Sequence, residues 1–345
     1  MIEILAQTDT ALLIVWGVLI AGVLALIPVA VIVSRVYPYS YPNARVRAMK
    51  AKMVSSEQLI ELSSRSYNDI ILQLEEHYPN LTKHYAADLS FANLELALRN
   101  HLIAQLEKVK RISPREVSDF IKAMLAKYDI VVIETVARSL ATSGTITSDV
   151  LHKTELFSKE FITQKEHSLE DLREELKETP YEEIINKHYQ DIKDNKLKAF
   201  EQELDLLYFK KLLSKAQHPS SRGYVKRLID AHNIAQANKD EEVMIPGGKI
   251  PQQKLQTAKT IKARCELAKE YGYPITTKND SQILERDMQK AIKKYSQEQL
   301  KKEPLSPSSI IGYVGLLIVS VRNTIIVLKM KHHDMSTQRI REVIA

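Results

Sequence analysis

An unbroken apolar run extends from Ala11 to Val33, ALLIVWGVLIAGVLALIPVAVIV, and contains no charged residue. A helix needs about 20 apolar residues to cross the hydrocarbon core of a bilayer, and this run is long enough to do so. The sequence that follows is rich in Lys and Glu. The pattern therefore predicts one N-terminal transmembrane anchor, residues 1–36, that fixes a hydrophilic protein to a membrane.

A cleaved signal peptide is the alternative interpretation of this run. Signal peptides begin with basic residues and end at small residues, whereas the only charged residues before this run are Glu3 and Asp9, and no such cleavage pattern closes it. Basic residues follow the run instead, at Arg35, Arg45, Arg47, Lys50 and Lys52. The positive-inside rule then predicts a single-pass protein of the cell membrane, with its N-terminus outside and its C-terminal part in the cytoplasm.

The composition of the hydrophilic part favours a helical protein in a reducing compartment. The chain has 345 residues and a single cysteine, Cys265, so an intramolecular disulfide is excluded. With only nine glycines, the tight hairpins of a sheet-rich fold are disfavoured. The formal net charge is +6, from 49 basic and 43 acidic residues. Because the two signs are interspersed, we interpret them as a solvated helical surface.

Apolar residues recur at helical spacing through this part of the chain. Ser113 is a predicted N-cap with Pro114 at the first helical position, and apolar residues then follow every three or four positions from Val117 to Ile133. Pro, Gly and Ser mark two predicted connectors, His218–Gly223 and Ile245–Pro251. The predicted fold class is all-α.

A second apolar stretch, from Ser308 to Lys329, resembles a membrane span in composition. Arg322 and Asn323 interrupt it, and a central Arg costs about 2.5–3.5 kcal/mol on insertion scales. Ser306 and Pro307 give it the same cap-plus-proline start as the helix after Ser113. We therefore predict a buried helix of a helical bundle.

Three segments match when set in register: Asp129-Ile-Val-Val-Ile133, Asp230-Ala-His-Asn-Ile234 and Ser320-Val-Arg-Asn-Thr324. The positions they share are the initial Asp129 and Asp230, the Asn three residues later at Asn233 and Asn323, and a basic residue nine positions after the start at Arg138, Lys239 and Lys329. An acidic helix start precedes each segment, and the units repeat at roughly 90–100 residues. The alternative is that these matches between helices arose by chance. The shared order of the two motifs argues against that alternative.

The sequence carries no motif for catalysis or metal binding. Its ten histidines lack metal-ligand spacing, and no G-x-S-x-G sequence occurs. Gly247-Gly248-Lys249 is not a Walker A loop, since Val243 and Ile250 stand where that loop needs Gly and Ser or Thr. We therefore predict a protein with no catalytic residue, no cofactor and no metal, which is not an enzyme by itself.

Several segments from about residue 37 to the end resemble the C subunit of A/V-type ATP synthases, the counterpart of the vacuolar ATPase d subunit. They are Tyr41-Pro-Asn-Ala-Arg45-Val-Arg47-Ala-Met49-Lys50, Ile112-Ser-Pro with the helix of Tyr128-Asp129, Asp230-Ala-His-Asn-Ile, Ile245-Pro-Gly-Gly, Tyr313 with Arg322-Asn323, and Ser336-Thr-Gln-Arg-Ile340-Arg-Glu-Val-Ile. Two departures are Ser320, where family members often carry Glu, and Val132 in place of Asn. The N-terminal anchor is also absent from many members.

The resemblance implies three similar helical domains in a pseudo-threefold funnel, here residues 37–144, 145–242 and 243–345. It implies a non-catalytic rotor subunit, present once in a hetero-oligomeric complex, between the proteolipid ring and the D and F subunits of the central stalk. Such a protein passes torque between ion translocation and ATP chemistry. The anchor would then have a natural place inside the ring, reached through a short linker from Ser34 to Pro42.

Two other functions compete with this one. A membrane-tethered helical scaffold with an unrelated partner fits the anchor and the even charge pattern. A nucleic-acid binder is suggested only by the sequence pI near 9.0, and no groove-reading motif accompanies it, so no nucleic-acid partner is predicted. The basic cluster of Arg45, Arg47, Lys50 and Lys52 is predicted to face either membrane lipid or the ring, or simply to set the topology.

Overall fold

The computed structural model describes residues 2–83, 91–142, 156–158, 160–161, 167–237, 243–277, 279–302 and 305–345. Within these ranges the regular structure is entirely helical, as predicted, and contains no strand. The helices are α1 (Ile2–Lys50), α2 (Ser56–Leu62), α3 (Tyr67–Leu74), α4 (Phe91–Ile112), α5 (Arg115–Thr142), α6 (Leu169–Glu175), α7 (Glu182–Lys187), α8 (Tyr189–Lys193), α9 (Lys198–Lys215), α10 (Pro219–Ala237), α11 (Gln252–Thr257), α12 (Ile261–Glu270), α13 (Ser281–Lys301), α14 (Pro307–His332) and α15 (Thr337–Val343).

The N-terminal segment is a single long helix, α1, that runs without interruption to Lys50. The predicted linker from Ser34 to Pro42 is therefore wrong, because these residues continue the helix. Pro28, Pro38 and Pro42 all lie inside α1. Each proline removes one backbone hydrogen bond and favours a bend, but helical neighbours on both sides keep the segment helical.

Only one helix in the described part of the chain is long and apolar enough to cross a membrane by length and composition, and it is α14. Its most apolar window is 78% buried within the protein, so the predicted buried core helix is confirmed. Within the N-terminal run, the residues with described side chains form a shorter apolar stretch, Val15–Pro28. The large apolar side chains of this stretch are exposed, for example Val18 at 68% and Leu24 at 59%.

Three pairs of long helices form the body. The pairs α4–α5, α9–α10 and α13–α14 each consist of two consecutive packed helices. The second helix of each pair also packs against the first helix of another, with α5 against α9, α10 against α13 and α14 against α4. The contacts therefore form a closed cycle of three pairs.

The α13–α14 pair is packed most closely. A β-carbon on Gly312 of α14 would lie 2.5 Å from the main-chain nitrogen of Leu300 and from the main-chain oxygen of Ser296. The two backbones can approach this far only because Gly312 has no side chain. The predicted start of α14 is confirmed, since Ser306 is its N-cap and accepts a hydrogen bond from the Ser308 amide, with Pro307 at the first position.

The other predicted local features have mixed outcomes. His218–Gly223 is not a connector, because α10 begins at Pro219 and runs through Gly223. The connector Ile245–Pro251 is confirmed as a non-helical segment. Just before α5, the Ser113 hydroxyl donates a hydrogen bond of 2.6 Å to the Val109 carbonyl of the preceding helix, α4.

Candidate functional site

The C-terminal end of α1 is embedded in the body. Val46, Pro42 and Asn43 are buried, and the Asn43 side-chain amide donates 3.1 Å to the Ser306 carbonyl ahead of α14. The helix packs against α14 and α4 along this section. Burial on one side of α1 leaves the opposite side of the same turns in contact with solvent.

That solvent-facing side carries the predicted basic cluster. The side chains of Arg45, Arg47, Lys50 and Lys52 are all exposed, and we call these four residues the basic collar. Arg45 and Lys52 line a surface groove, whereas Arg47 and Lys50 do not. The structure therefore divides the collar into two pairs of equal charge in different surroundings.

The groove lies between α1 and α4 and has a volume of about 510 Å³. Lys108 and Arg111 of α4 contribute two further cations to it, and Ala48, Met49 and Ile112 contribute apolar surface. The sequence reasoning missed Lys108 and Arg111. A cationic last turn, which includes Lys110 and Arg111, was the available signal, since cations favour the negative end of a helix dipole.

Two of the repeat positions lie on α10 and hold the connector that follows it. Asn233 donates 2.8 Å from Nδ2 to the Ile245 carbonyl and accepts 2.8 Å from the Ile245 amide. Asp230 accepts from the amides of Lys249 and Ile250, at 3.0 and 3.1 Å. The Tyr273 hydroxyl donates 2.5 Å to the same carboxylate. We call Asp230 and Asn233 with these partners the α10 clasp.

Burial of the α10 clasp has two consequences. It raises the pKa of the Asp230 carboxyl, although the three donors oppose the shift. It also leaves no space beside the carboxylate, because a β-carbon on Gly248 would overlap with Asp230 Oδ1. Gly248 of this connector therefore serves close packing on Asp230.

The matching residues of α14 make a second clasp. Asn323 donates 2.6 Å to the Ala345 carbonyl oxygen and accepts 3.3 Å from the Ala345 amide. Ser56 contacts both residues, accepting from Asn323 Nδ2 at 3.2 Å and donating to the Ala345 oxygen at 2.7 Å. Ser320 donates 2.8 Å to the Val54 carbonyl. The α14 clasp therefore joins the last helix pair to the segment that starts α2.

The third set of repeat positions, on α5, has different surroundings. Val132 is buried, and Asp129 is half-buried beside a groove of about 560 Å³ lined also by Lys122 and Lys211. Arg138 Nη2 lies 2.5 Å from Glu201 Oε1 of α9.

A second ion pair joins the same two helices, with 2.7 Å between Lys127 Nζ and Asp205 Oδ1. We call these two pairs and the nearby Glu134 the α5 seam. Burial raises the pKa of Glu134 to about 7; Lys127 opposes this shift and Asp205 supports it.

The structure does not bring the predicted residues into one site. The basic collar is at the end of α1, and the repeat positions lie on three different helices. Lys329 is exposed on α14, and Lys239 lies outside the described residues. Among the described residues, no group of three or more His, Cys, Asp or Glu side chains is arranged to hold a metal ion.

Comparison with known proteins gives a consistent result. The family model described as ATP synthase (C/AC39) subunit matches residues 42–343. The C subunit of the A-type ATP synthase of Thermococcus onnurineus is 29% identical over 340 residues, covering 91% of this chain and 92% of that protein. The protein of the same name from Pyrococcus furiosus is 25% identical, with 89% and 90% covered. That from Methanosphaera stadtmanae is 31% identical over 57% and 53%.

Proposed function

The chain belongs to the ATP synthase (C/AC39) subunit family, and from this premise we propose that it is the rotor subunit that couples a proteolipid ring to the central stalk. The family match over residues 42–343 is the observation that carries the proposal. As a member of this family, the chain is a non-catalytic subunit of a multisubunit ATP synthase that is associated with a membrane. Its proposed partners are the ring and the D and F subunits of the stalk.

The proposed architecture is a pseudo-threefold funnel of three domains, residues 37–144, 145–242 and 243–345. The cyclic packing of the three helix pairs supports it. The two Asn residues support it as well, because Asn233 and Asn323 each bind both main-chain groups of one later residue. A closed ring of three similar units has a central axis, which is what a rotor subunit needs to transmit rotation.

The apolar part of α1 is proposed to cross the membrane inside the ring, with its N-terminus outside. The described large apolar side chains between Val15 and Val33 are exposed, and a β-carbon on Gly17 or Gly22 would touch nothing within 4 Å. These side chains therefore need an apolar environment that the other described residues do not supply. A helix outside the ring would collide with stationary subunits at each turn, whereas one in the lumen rotates with the ring.

The test is purification of the tagged protein from native membranes in mild detergent. We expect the proteolipid and stalk subunits to copurify, and recovery of neither would contradict the proposal and leave the membrane-tethered scaffold. Reversing Arg45 and Arg47 to Glu is expected to weaken retention of the ring while helical content stays unchanged. Retention equal to that of the unaltered protein would refute the ring-facing assignment of the basic collar.

The position of α1 is tested separately by crosslinking from Val18 or Leu24. Adducts on the lumen-facing side of the proteolipid are expected. Adducts only on its outer side would rule out the lumen while leaving the coupling function intact.

A further inference from the structure

The groove between α1 and α4 concentrates positive charge, and within the protein Arg111 Nε donates a long hydrogen bond of 3.4 Å to the Glu107 carbonyl. Arg45 and Lys52 come from one side, and Lys108 and Arg111 from the other. No carboxylate occurs among the described residues that line the groove, and none of the four cations forms an ion pair with a described residue. We propose that this groove is a docking site for an acidic protein segment. The inference rests on the proposed function, because it assigns a partner chemistry to the proposed ring-facing surface.

The nearest carboxylate on α4 does not neutralise the groove. Glu107 is engaged by Lys110, with 2.6 Å between Nζ and Oε2. Lys110 itself does not line the groove. Four cations that form no ion pair with a described residue repel one another around one concave surface, and an acidic ligand relieves that repulsion while it gains charge-assisted hydrogen bonds.

The geometry of α1 decides between lipid and protein as the source of the negative charge. An α-helix rises about 1.5 Å per residue, so Arg45 lies about 18 Å beyond Val33 along the helix axis. The headgroup layer on each side of the hydrocarbon core is only about 5–8 Å thick. With Val33 at the edge of the hydrocarbon, Tyr37 reaches the headgroups and the groove lies beyond them, at the depth of protein loops.

The shape and surface of the groove also fit a peptide. Its volume of about 510 Å³ is within the usual range of binding clefts, roughly 300–1,000 Å³. Ala48, Met49 and Ile112 offer apolar contact to the methylene groups of Glu or Asp side chains, and Gln105 offers an amide that can hydrogen-bond a peptide backbone. A small inorganic anion would leave this apolar surface uncovered.

The first test places a photo-crosslinking amino acid at position 48, which is exposed in the groove, in the full protein in native membranes. We expect the adduct to map by mass spectrometry to a protein segment that contains Asp or Glu. A lipid adduct alone, an adduct on a segment without acidic residues, or no adduct would overturn the inference. This readout does not depend on which protein carries the segment, so it is separable from failure of the coupling function.

The second test compares two variants with the same change in charge. Lys108→Glu with Arg111→Glu alters the groove, and Lys262→Glu with Lys269→Glu alters two exposed positions of α12, away from the groove and the collar. We expect the first pair to reduce the crosslink yield from position 48 about tenfold and the second to leave it within about twofold. An equal reduction of the crosslink yield by both pairs would indicate a diffuse charge effect and overturn the assignment of the groove as the docking site. No reduction by the first pair would overturn it as well. Circular dichroism verifies that both variants are folded.

Discussion

The α10 clasp and the α5 seam occupy matching positions in two helix pairs, yet they hold their neighbours by different means. At the clasp, Asn233 is buried and pairs with both main-chain groups of Ile245. At the seam, Val132 takes the place of the Asn, and α5 is joined to α9 by charged side chains such as Lys127 and Asp205.

The difference shows how one helical framework can have contacts of unequal sensitivity. A buried neutral amide is insensitive to salt and pH, and its loss leaves two main-chain groups without partners. Partly exposed charges respond to both salt and pH. We therefore expect Asn233 of the clasp to contribute more stability than the seam, and the charged pairs and Glu134 of the seam to contribute a dependence on salt and pH.

The largest expected effect comes from breaking the clasp. Asn233→Leu leaves the buried amide and carbonyl of Ile245 unpaired, which lowers the free energy of unfolding by about 3 kcal/mol. Urea unfolding of the full chain in detergent, followed by far-UV circular dichroism, measures it. The control is Asn68→Leu on the exposed surface of α3, with a change within about 0.5 kcal/mol. Equal values for the two variants would show that the clasp does not support the fold.

A second variant tests the close packing on Asp230. Gly248→Ala places a β-carbon against the Asp230 carboxylate and is expected to cost about 2 kcal/mol. The matched control is Gly272→Ala, where the backbone has a φ of +78° but the nearest atom to the new carbon is Lys249 Nζ at 3.8 Å. The control carries only the backbone strain, about 1 kcal/mol. A smaller cost at Gly248 than at Gly272 would contradict the tight packing.

The pH dependence tests the seam. The pKa of Glu134 is about 7 in the fold, against an ordinary value of 4.5, so the folded state retains a proton that the unfolded chain releases. The stabilisation that this retained proton gives is full below pH 4.5 and is lost as the pH rises through 7. Glu134→Gln should remove this loss of stability with rising pH. The measurement compares the free energy of unfolding of the variant with that of the unaltered protein across this pH range. Glu116→Gln, on the exposed start of α5, is the control, and an unchanged pH profile for Glu134→Gln would refute the assignment.

The smallest expected effect concerns the exposed ion pair of the seam. The Arg138 side chain is 61% exposed, so Arg138→Ala should cost only about 0.5 kcal/mol at low salt. The cost should vanish in about 1 M salt, where the screening length is about 3 Å. A double-mutant cycle with Glu201→Ala measures the coupling. A coupling that persists in high salt would place this pair with the clasp rather than the seam.

Much of the helical framework was predictable because it depends on local signals. The cap at Ser306 and the interruption by Arg322 and Asn323 led to the correct prediction of a buried α14. The prediction of a connector at His218–Gly223 was wrong because Gly223 is a residue type that often ends helices. In the fold, the absence of a side chain at Gly223 makes room for Tyr295 of α13. A contact between two distant helices leaves no mark in the local sequence.

The candidate site was predictable only in part, for the same reason. The basic collar follows the apolar run in the sequence and is visible as a cluster. Lys108 and Arg111 join it only because α4 packs beside α1, and Tyr273 reaches Asp230 from 43 residues away. The register of Asn233 and Asn323 was visible in the sequence, but not that each binds the backbone of a single later residue.

The unbroken course of α1 has a mechanical consequence for the proposed rotor role. A helical rod of 49 residues is about 70 Å long, and its backbone hydrogen bonds resist twisting about the axis. Pro38 and Pro42 make the helix easier to bend just outside the apolar run, without introducing a flexible linker. Such a helix can accommodate misalignment between the axes of its two ends, while both ends rotate through the same angle.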